Sequence, residues 1–481
     1  MPNLTNQVQP PLSFIDPAFN PIVATVVRSL LPAWLRWHDR VYPVEVTNAE
    51  CLAQLYEDFQ AGKVRFMLAF RHPDTCDPLC MGHLVWQAVP RAANRLGKAL
   101  ATPYAHFMYD RGIPLWAGKQ VGWLYSRMGG TPIRRGKMDL IGLRSARHLF
   151  AQGRFPMALA PEGATNGHSE ILSPIEPGIA QLGFWCVDDR LKLGRSEPVL
   201  IVPIGIRYHY VTQPWRSIER LLTQLELDSG IVTPAADRFK DTLRDNAALT
   251  PKQESVLYQR LYGLGEHLLL LMEQFYTKFY HQDLDAMRQA IVVSPSDQAD
   301  SPTLANQLLT QRLQTLINVA LKVAEDFFAL SPKGSVTDRC RRIEQAGWDR
   351  VYRDDLDSLE TLPLVERGLA DRVAEEAALR VWHMRLVESF VSVTGRYVLE
   401  KPTVDRYAET LLLVWEMITR IKGNVPFPHP RLGRRSAHMT IGEPLSVSDR
   451  WQSYQTNRRQ AVATLTQDLQ KALEELLAIS D

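Results

Sequence analysis

FMLAFRHPDTCDPLC, Phe66–Cys80, runs from an unbroken apolar stretch into a His and then, after four intervening residues, an Asp followed by Pro. With Val64 and Arg65 in front of it, the apolar run reads as a strand buried on both faces, since a half-exposed strand would alternate apolar and polar residues. Asp77 and Pro78 read as a helix start, a capping carboxylate followed by the residue whose missing N–H is no loss at that position. A buried strand leading into a helix is half of a parallel β-α-β unit. His72 then falls just past the carboxyl end of a strand, the edge at which open parallel sheets bind ligands.

Working outward, the same alternation continues from about residue 43 to 210. NAECLAQLYEDFQAG reads as a helix closed by Gly62, PLCMGHLVWQAV as another, and MDLIGLRSARHLFAQG as a third ending at Gly153. FPMALA and PVLIVPIGIRY read as further buried strands. Together they predict an α/β fold with a mostly parallel sheet covered by helices. Beyond Trp215 the pattern changes to long helical runs, among them KQESVLYQRLYGLGEHLLLLMEQFYTKFY and TVDRYAETLLLVWEMITRIKG, with a polar linker candidate at SPSDQADSP, Ser294–Pro302. A strand pattern returns only in HMTIGEPLSV, followed by a last amphipathic helix. The expected organisation is therefore an N-terminal amphipathic segment over 1–42, the first part of the sheet domain over 43–216, an all-helical insertion over 217–425, and a closing strand and helix over 426–481.

Composition excludes several classes. Lys and Arg number 55 against 53 Asp and Glu, so no global field argues for nucleic acid, and any anion must be met locally. Five Cys without a Cys-x-x-Cys pair give neither a disulfide framework nor zinc-ligand spacing, which suits a reducing cytoplasm. The first residues lack the basic start and apolar centre of a secretion signal. No segment reaches the roughly 18 uninterrupted apolar residues of a membrane span. One stretch, NPIVATVVRSLLPAWLRW (20–37), has a cap at Asn20, Pro21 at the first helical position, and Ile22, Val23, Val26, Val27, Leu30 and Leu31 on one face. Pro32 is expected to kink or end it. Core packing accounts for such a helix slightly better than a membrane surface does, although Trp34, Arg36 and Trp37 suit a lipid headgroup boundary.

The chemistry centres on His72. An imidazole held by a carboxylate can take a proton from a hydroxyl, because its pKa lies near neutrality. Asp77 would fix the tautomer and stabilise the imidazolium as it forms. Cys76 offers an alternative nucleophile with His72 as its base. Two other loops carry matching chemistry. MGGTPIRRG (128–136) follows a helix with a glycine turn at Gly129 and, after Ile133, places Arg134 and Arg135 where guanidinium forks can meet phosphate oxygens. LAPEGATNG (159–167) puts Glu162, Gly163 and Thr165 past the next strand, suited to a polyol hydroxyl and to backbone donors for an oxyanion.

These loops, in this order, resemble the phospholipid/glycerol acyltransferase family, typified by lysophosphatidic acid acyltransferases. HPDTCD matches its first block through His72 and Asp77. GGTPIRR matches its second through Gly129, Ile133 and Arg135, PEG its third through Pro161, Glu162 and Gly163, and LIVPIGI its fourth around Pro203. The resemblance covers about residues 20–215 and 437–478 and leaves out the long helical region. It implies direct transfer of a fatty acyl group from acyl-CoA or acyl carrier protein to a lysophospholipid or glycerolipid hydroxyl. His72 is then the general base, Asp77 its orienting acid, and Arg135 the phosphate partner. Such a 1-acyl-sn-glycerol-3-phosphate acyltransferase-like enzyme needs no metal or redox cofactor and works peripherally on the cytoplasmic membrane surface. One departure matters. Where the family carries Glu-Gly-Thr-Arg this chain has Ala164 and Thr165, so the acceptor phosphate loses an Arg, which Arg134 or the cluster Arg431, Arg434 and Arg435 would have to replace. An acyltransferase for a non-phosphorylated lipid alcohol and a non-catalytic lipid- or partner-binding protein are the alternatives.

Overall fold

The apolar run Arg65–Phe70 forms a strand buried at all six positions, and its alternate side chains serve two different cores. In the computed structural model, which describes residues 7–134, 139–234, 237–239, 243–285, 301–388 and 397–478, the chain divides into two units. One comprises residues 13–211 and 434–481; the other comprises 1–12 and 212–433. The divisions fall at 12, 211 and 433, against 42, 216 and 425 read from the sequence.

The first unit carries one mixed sheet of eight strands: β1 (Val41–Thr47), β2 (Arg65–Phe70), β3 (His106–Asp110), β4 (Gly130–Ile133), β5 (Met157–Leu159), β6 (Val199–Tyr210), β7 (Arg435–Ile441) and β8 (Leu445–Ser446). Their order is β1-β7-β6-β2-β5-β3-β4, with β8 beside β6. From β6 to β4 all neighbours are parallel; β7 is antiparallel to β6, and β1 runs with β7. The carboxyl ends of five parallel strands therefore share one rim with the start of β7, where Arg435 pairs with Tyr210. Pro203 sits inside central β6, yet its missing N–H falls where the neighbour changes from β8, paired at Leu200 and Ile201, to β7, paired from Ile204 onward.

Helices cover both faces, as a parallel sheet requires. Phe66, Leu68 and Phe70 pack with Leu52 and Tyr56 of the helix Ala49–Gln60 and with Leu84 and Val89. Met67 and Ala69 pack on the other face with Phe150, Ile179, Phe184, Leu465 and Leu469.

The first helix, Pro21–Ala33, begins as expected, with Asn20 Oδ1 accepting from Ile22 N and Val23 N. It does not stop at Pro32. The α-helix ends one residue later, at Ala33, and the chain runs on as a π turn over Trp34–His38, closed by Asp39 N–H on the Trp34 carbonyl. Nor does its apolar stripe pack as a unit. Ala24, Leu31 and Leu35 are buried, whereas Ile22, Leu30 and Trp37 are 73%, 60% and 74% exposed, with Val26 and Trp34 also exposed between them.

The second unit is helical among its described residues, apart from one bridge between Gln9 and Tyr352. Its longest helices are Pro251–Tyr280, Ser301–Phe328, Val336–Val351, Leu364–Glu388 and Val404–Ile421. The first four share a core through residues such as Tyr276, Ile317, Ala320, Ile343, Ala377 and Val381. The linker candidate at 294–302 lies outside the described residues up to 300, and Ser301 and Pro302 already belong to a helix. No helix among the described residues is long and apolar enough to cross a membrane.

Candidate active site

His72 stands two residues beyond β2, and its Nδ1 lies 2.8 Å from Asp77 Oδ2. Asp77 opens the helix Asp77–His83, but its carboxylate turns back toward the loop instead of capping that helix. Oδ2 also accepts the N–H of Asp74 at 2.8 Å, and Oδ1 accepts the hydroxyl of Tyr208 at 2.5 Å. Asp77 is 0% exposed, whereas the His72 side chain is 22% exposed. Burial pushes the Asp77 carboxyl above its ordinary value, while the bonds from His72 and Tyr208 pull it back. Asp74 N–H and the Tyr208 hydroxyl both donate to this carboxyl, so its oxygens serve as acceptors; with Nδ1 donating to Oδ2, the lone pair of the neutral ring sits on Nε2.

Tyr208 comes from β6, the strand beside β2, and shares its buried face with Ile204 and Ile206. A buried tyrosine needs a partner for its hydroxyl, and this one finds Asp77 and, at 3.4 Å, the sulfur of Cys80. Arg435, the first residue of β7, lies 4.8 Å over the Tyr208 ring and donates to Asp74 Oδ2 at 2.7 Å. Asp74 Oδ1 in turn accepts the Cys76 N–H at 2.9 Å. Burial alone would raise the Asp74 carboxyl, but Arg435 overrides it and holds the group well below the usual carboxylate range. The same surroundings push the Cys76 thiol up, through burial first and Asp74 second, which disfavours the thiolate that a nucleophile needs.

The Asp74–Arg435 pair makes a pH prediction. A carboxylate whose pKa is depressed on folding stabilises the fold above its unfolded value, near 4, and loses that contribution as pH falls toward the folded value. Arg435→Met should therefore lower stability by about 3 kcal/mol at pH 7, by analogy with other broken, mostly buried pairs. Urea unfolding at pH 7 and pH 3 checks it: the gap between wild type and variant should narrow at the lower pH.

Glu162 follows β5 and is buried, with both oxygens engaged. Oε1 accepts the His72 backbone N–H at 2.8 Å, and Oε2 accepts Ser173 N at 2.9 Å and Asn166 Nδ2 at 3.1 Å. Glu162 ties the His72 loop to the 166–173 loop. Arg71, fully buried, braces the same loops by donating to the carbonyls of Ser169, His168 and Ile171. Gly163 sits at φ +73°, a left-handed turn that suits glycine, and Thr165 is exposed at the edge of this loop. The amides of His72, Asp74 and Cys76 are all bonded internally, so an oxyanion donor is not among those three.

The second loop is divided by a strand. Gly129 makes a left-handed turn at φ +87° before β4, its carbonyl 3.0 Å from His106 Nδ1, and so lies at the sheet edge opposite His72. Ile133 ends β4 at the shared rim. Arg134 follows it, its backbone N–H bonded to Asp139 Oδ2 at 2.8 Å, and Arg111, at the end of β3, pairs with the same carboxylate. Three strand spacings separate β4 from β2, roughly 15 Å along the rim. Arg135 lies outside the described residues.

The structure thus brings His72, Asp77, Glu162, Gly163 and Thr165 to one rim, places Arg134 farther along it, and sets Gly129 apart. Sequence reasoning missed Tyr208, Arg71, Asp74 as the partner of Arg435, and Asn166. Of these only Tyr208 left a readable signal, a hydroxyl two and four residues beyond Ile206 and Ile204 on the buried face of its strand. Among the described residues no group of three or more His, Cys, Asp or Glu side chains is placed to hold a metal ion. Comparison with protein-family models, curated proteins and solved structures finds no match for the chain.

Proposed function

We propose that the protein is a lipid O-acyltransferase that moves an acyl group from a thioester donor, carried by coenzyme A or acyl carrier protein, to the hydroxyl of a lysophospholipid or glycerolipid. The observation that carries this reading is the His72–Asp77 pair at the strand rim, with Nδ1 committed to a buried carboxylate and Nε2 left as a base on a partly exposed ring. In the reaction Nε2 takes the hydroxyl proton as the oxygen attacks the thioester carbonyl. That attack forms the new C–O bond; collapse of the tetrahedral adduct then restores the carbonyl and breaks the C–S bond, and the leaving thiolate takes the proton back from the imidazolium. Asp77 stabilises the imidazolium between these steps, and Tyr208 and Asp74 N–H keep Asp77 aimed at the ring. The test is incubation of the purified protein with labelled acyl-CoA or acyl carrier protein thioester and a mixed lysolipid extract. A labelled ester is expected; donor consumption without ester, or none at all, would refute transfer.

Membrane-surface attachment belongs to the same reading. Ile22, Val26, Leu30, Trp34 and Trp37 form an exposed apolar stripe on the first helix and its π extension, flanked by the exposed Arg36 and Arg40. Aromatic and aliphatic side chains beside cations suit an anionic lipid surface. The helix is seated tightly: a Cβ on Gly82 would meet Leu31 Cδ2 at 3.0 Å and Trp86 at 3.2 Å, so the stripe stands directly on the helix that begins with Asp77. Combining Leu30→Ser with Trp37→Ser should weaken cosedimentation with anionic vesicles at least tenfold, since each removes about 1.5–3 kcal/mol of burial in lipid. Thermal unfolding should stay unchanged, because neither side chain packs in the core.

A second reading, a non-phosphorylated alcohol as acceptor, is favoured by one observation. Thr165 stands where an Arg is expected, and Arg435, one of its candidate replacements, is committed to Asp74. Offering phosphorylated and neutral acceptors together decides between the two.

A further inference from the structure

The helical unit contains a cavity that the transfer chemistry does not use. It measures about 150 Å³ and lies among the helices Pro251–Tyr280, Ser301–Phe328 and Val404–Ile421, with the end of Leu364–Glu388 and Tyr397 and Val398 completing the wall. Leu261, Leu269, Met272, Leu313, Ile317 and Val414 dominate its surface, and no charged side chain among the described residues lines it. Its few polar groups are already satisfied: Tyr262 Oη bonds Glu266, Tyr397 Oη donates to Glu409 at 2.6 Å, and Thr410 Oγ1 donates to the Arg406 carbonyl at 2.9 Å. Such a lining asks nothing of its occupant but apolar contact, and cavities of this kind stay dry and take hydrocarbon.

A second observation comes from the wall itself. Gly265 lines the cavity from within a helix of 30 residues, where glycine is among the least favourable residues. Close packing does not require it, because a Cβ built there meets nothing within 4 Å. What glycine does at 265 is leave room. Its neighbours in the sequence, YGLGEHLLLL, otherwise carry the bulky leucines of a well-packed helix.

We propose that the helical unit seats a short run of an aliphatic chain in this cavity, part of the hydrocarbon of the acyl donor or of the lipid acceptor. The identity of the chain rests on the acyltransferase reading; the apolar seat does not. The probe is cis-parinaric acid, whose fluorescence rises in a dry site, titrated into the full-length protein, with oleoyl-CoA and oleoyl lysophosphatidate as competitors. Saturable binding is expected, displaced by the thioester if the seat takes the donor chain and by the lysolipid if it takes the acceptor chain. Displacement by neither overturns the assignment. Gly265→Leu should weaken parinarate binding at least tenfold without lowering the thermal midpoint, because it replaces a poor helix former with a good one. Leu313→Trp provides an independent block. Unchanged affinity in both folded variants overturns the proposal. His72→Ala separates the two readings: it should abolish turnover and leave parinarate binding intact. Turnover that survives His72→Ala while Gly265→Leu loses the chain would sink the transfer reading alone.

Discussion

His72→Ala is expected to lower acyl transfer by at least a thousandfold while leaving circular dichroism and thermal unfolding as in the wild type. General-base catalysis by a positioned side chain contributes about 10²–10⁴ in rate, and here no second group is placed to replace it. Cys76 is held as the thiol, Asp74 is engaged by Arg435, and Asp77 is buried beneath the ring. The fold should survive, because the ring is partly exposed and its one side-chain hydrogen bond is to Asp77, which keeps Tyr208 and the Asp74 amide as donors. The measurement is steady-state ester formation on a preparation freed of host acyltransferases. Residual turnover within tenfold of wild type would mean that the reacting hydroxyl is deprotonated elsewhere.

Asp77→Asn is expected to come close to the same loss through a different route. An amide is nearly isosteric with the carboxylate but has one acceptor atom where the site needs two. If its oxygen faces His72 and the Asp74 amide, its NH2 group faces the Tyr208 hydroxyl, which must then accept that bond and turn its hydrogen toward the Cys80 sulfur. If the amide is reversed, NH2 points at His72 Nδ1, which becomes the acceptor, and the proton moves to Nε2, the atom that should receive one. Either arrangement removes the negative charge that stabilises the imidazolium. A fall in kcat of about 10²–10⁴ is expected. The Michaelis constants should change little, since Asp77 is buried beneath the ring and does not face substrate. A matching rise in the Michaelis constant for the acceptor would instead make Asp77 a substrate ligand.

The main architecture was legible because parallel strands buried on both faces leave uninterrupted apolar runs, as in Phe66–Phe70 and Val199–Ile206. The strands that escaped notice are those lacking such runs. β1 is an edge strand with alternating burial and a proline at position 43, which only an edge tolerates easily. β3 mixes His106 and Asp110 into five residues, and β4, with a glycine and a proline in four, looked like part of a loop. At the site, the His72–Asp77 pair could be read because its two members lie in one loop. Glu162 was read as part of the acceptor site, but nothing local tells that its oxygens meet backbone amides at 72 and 173. Tyr208 and Arg435 reach the site across strand pairings that no short sequence window contains. The exposed stripe on the first helix shows the converse limit. Helical spacing showed that Ile22, Val26 and Leu30 align, but whether protein or lipid covers them depends on what packs against Leu31.

The pairing of Tyr210 with Arg435 has a consequence for how the molecule is made. β6 emerges from the ribosome beside an empty place that its antiparallel neighbour fills only after more than two hundred further residues are synthesised. At translation rates of about 5–20 residues per second, that leaves the edge of β6 open for roughly ten seconds or longer. Asp74 waits longer still for its guanidinium, 361 residues on, so a nascent chain halted before residue 435 would carry the His72 loop without its brace.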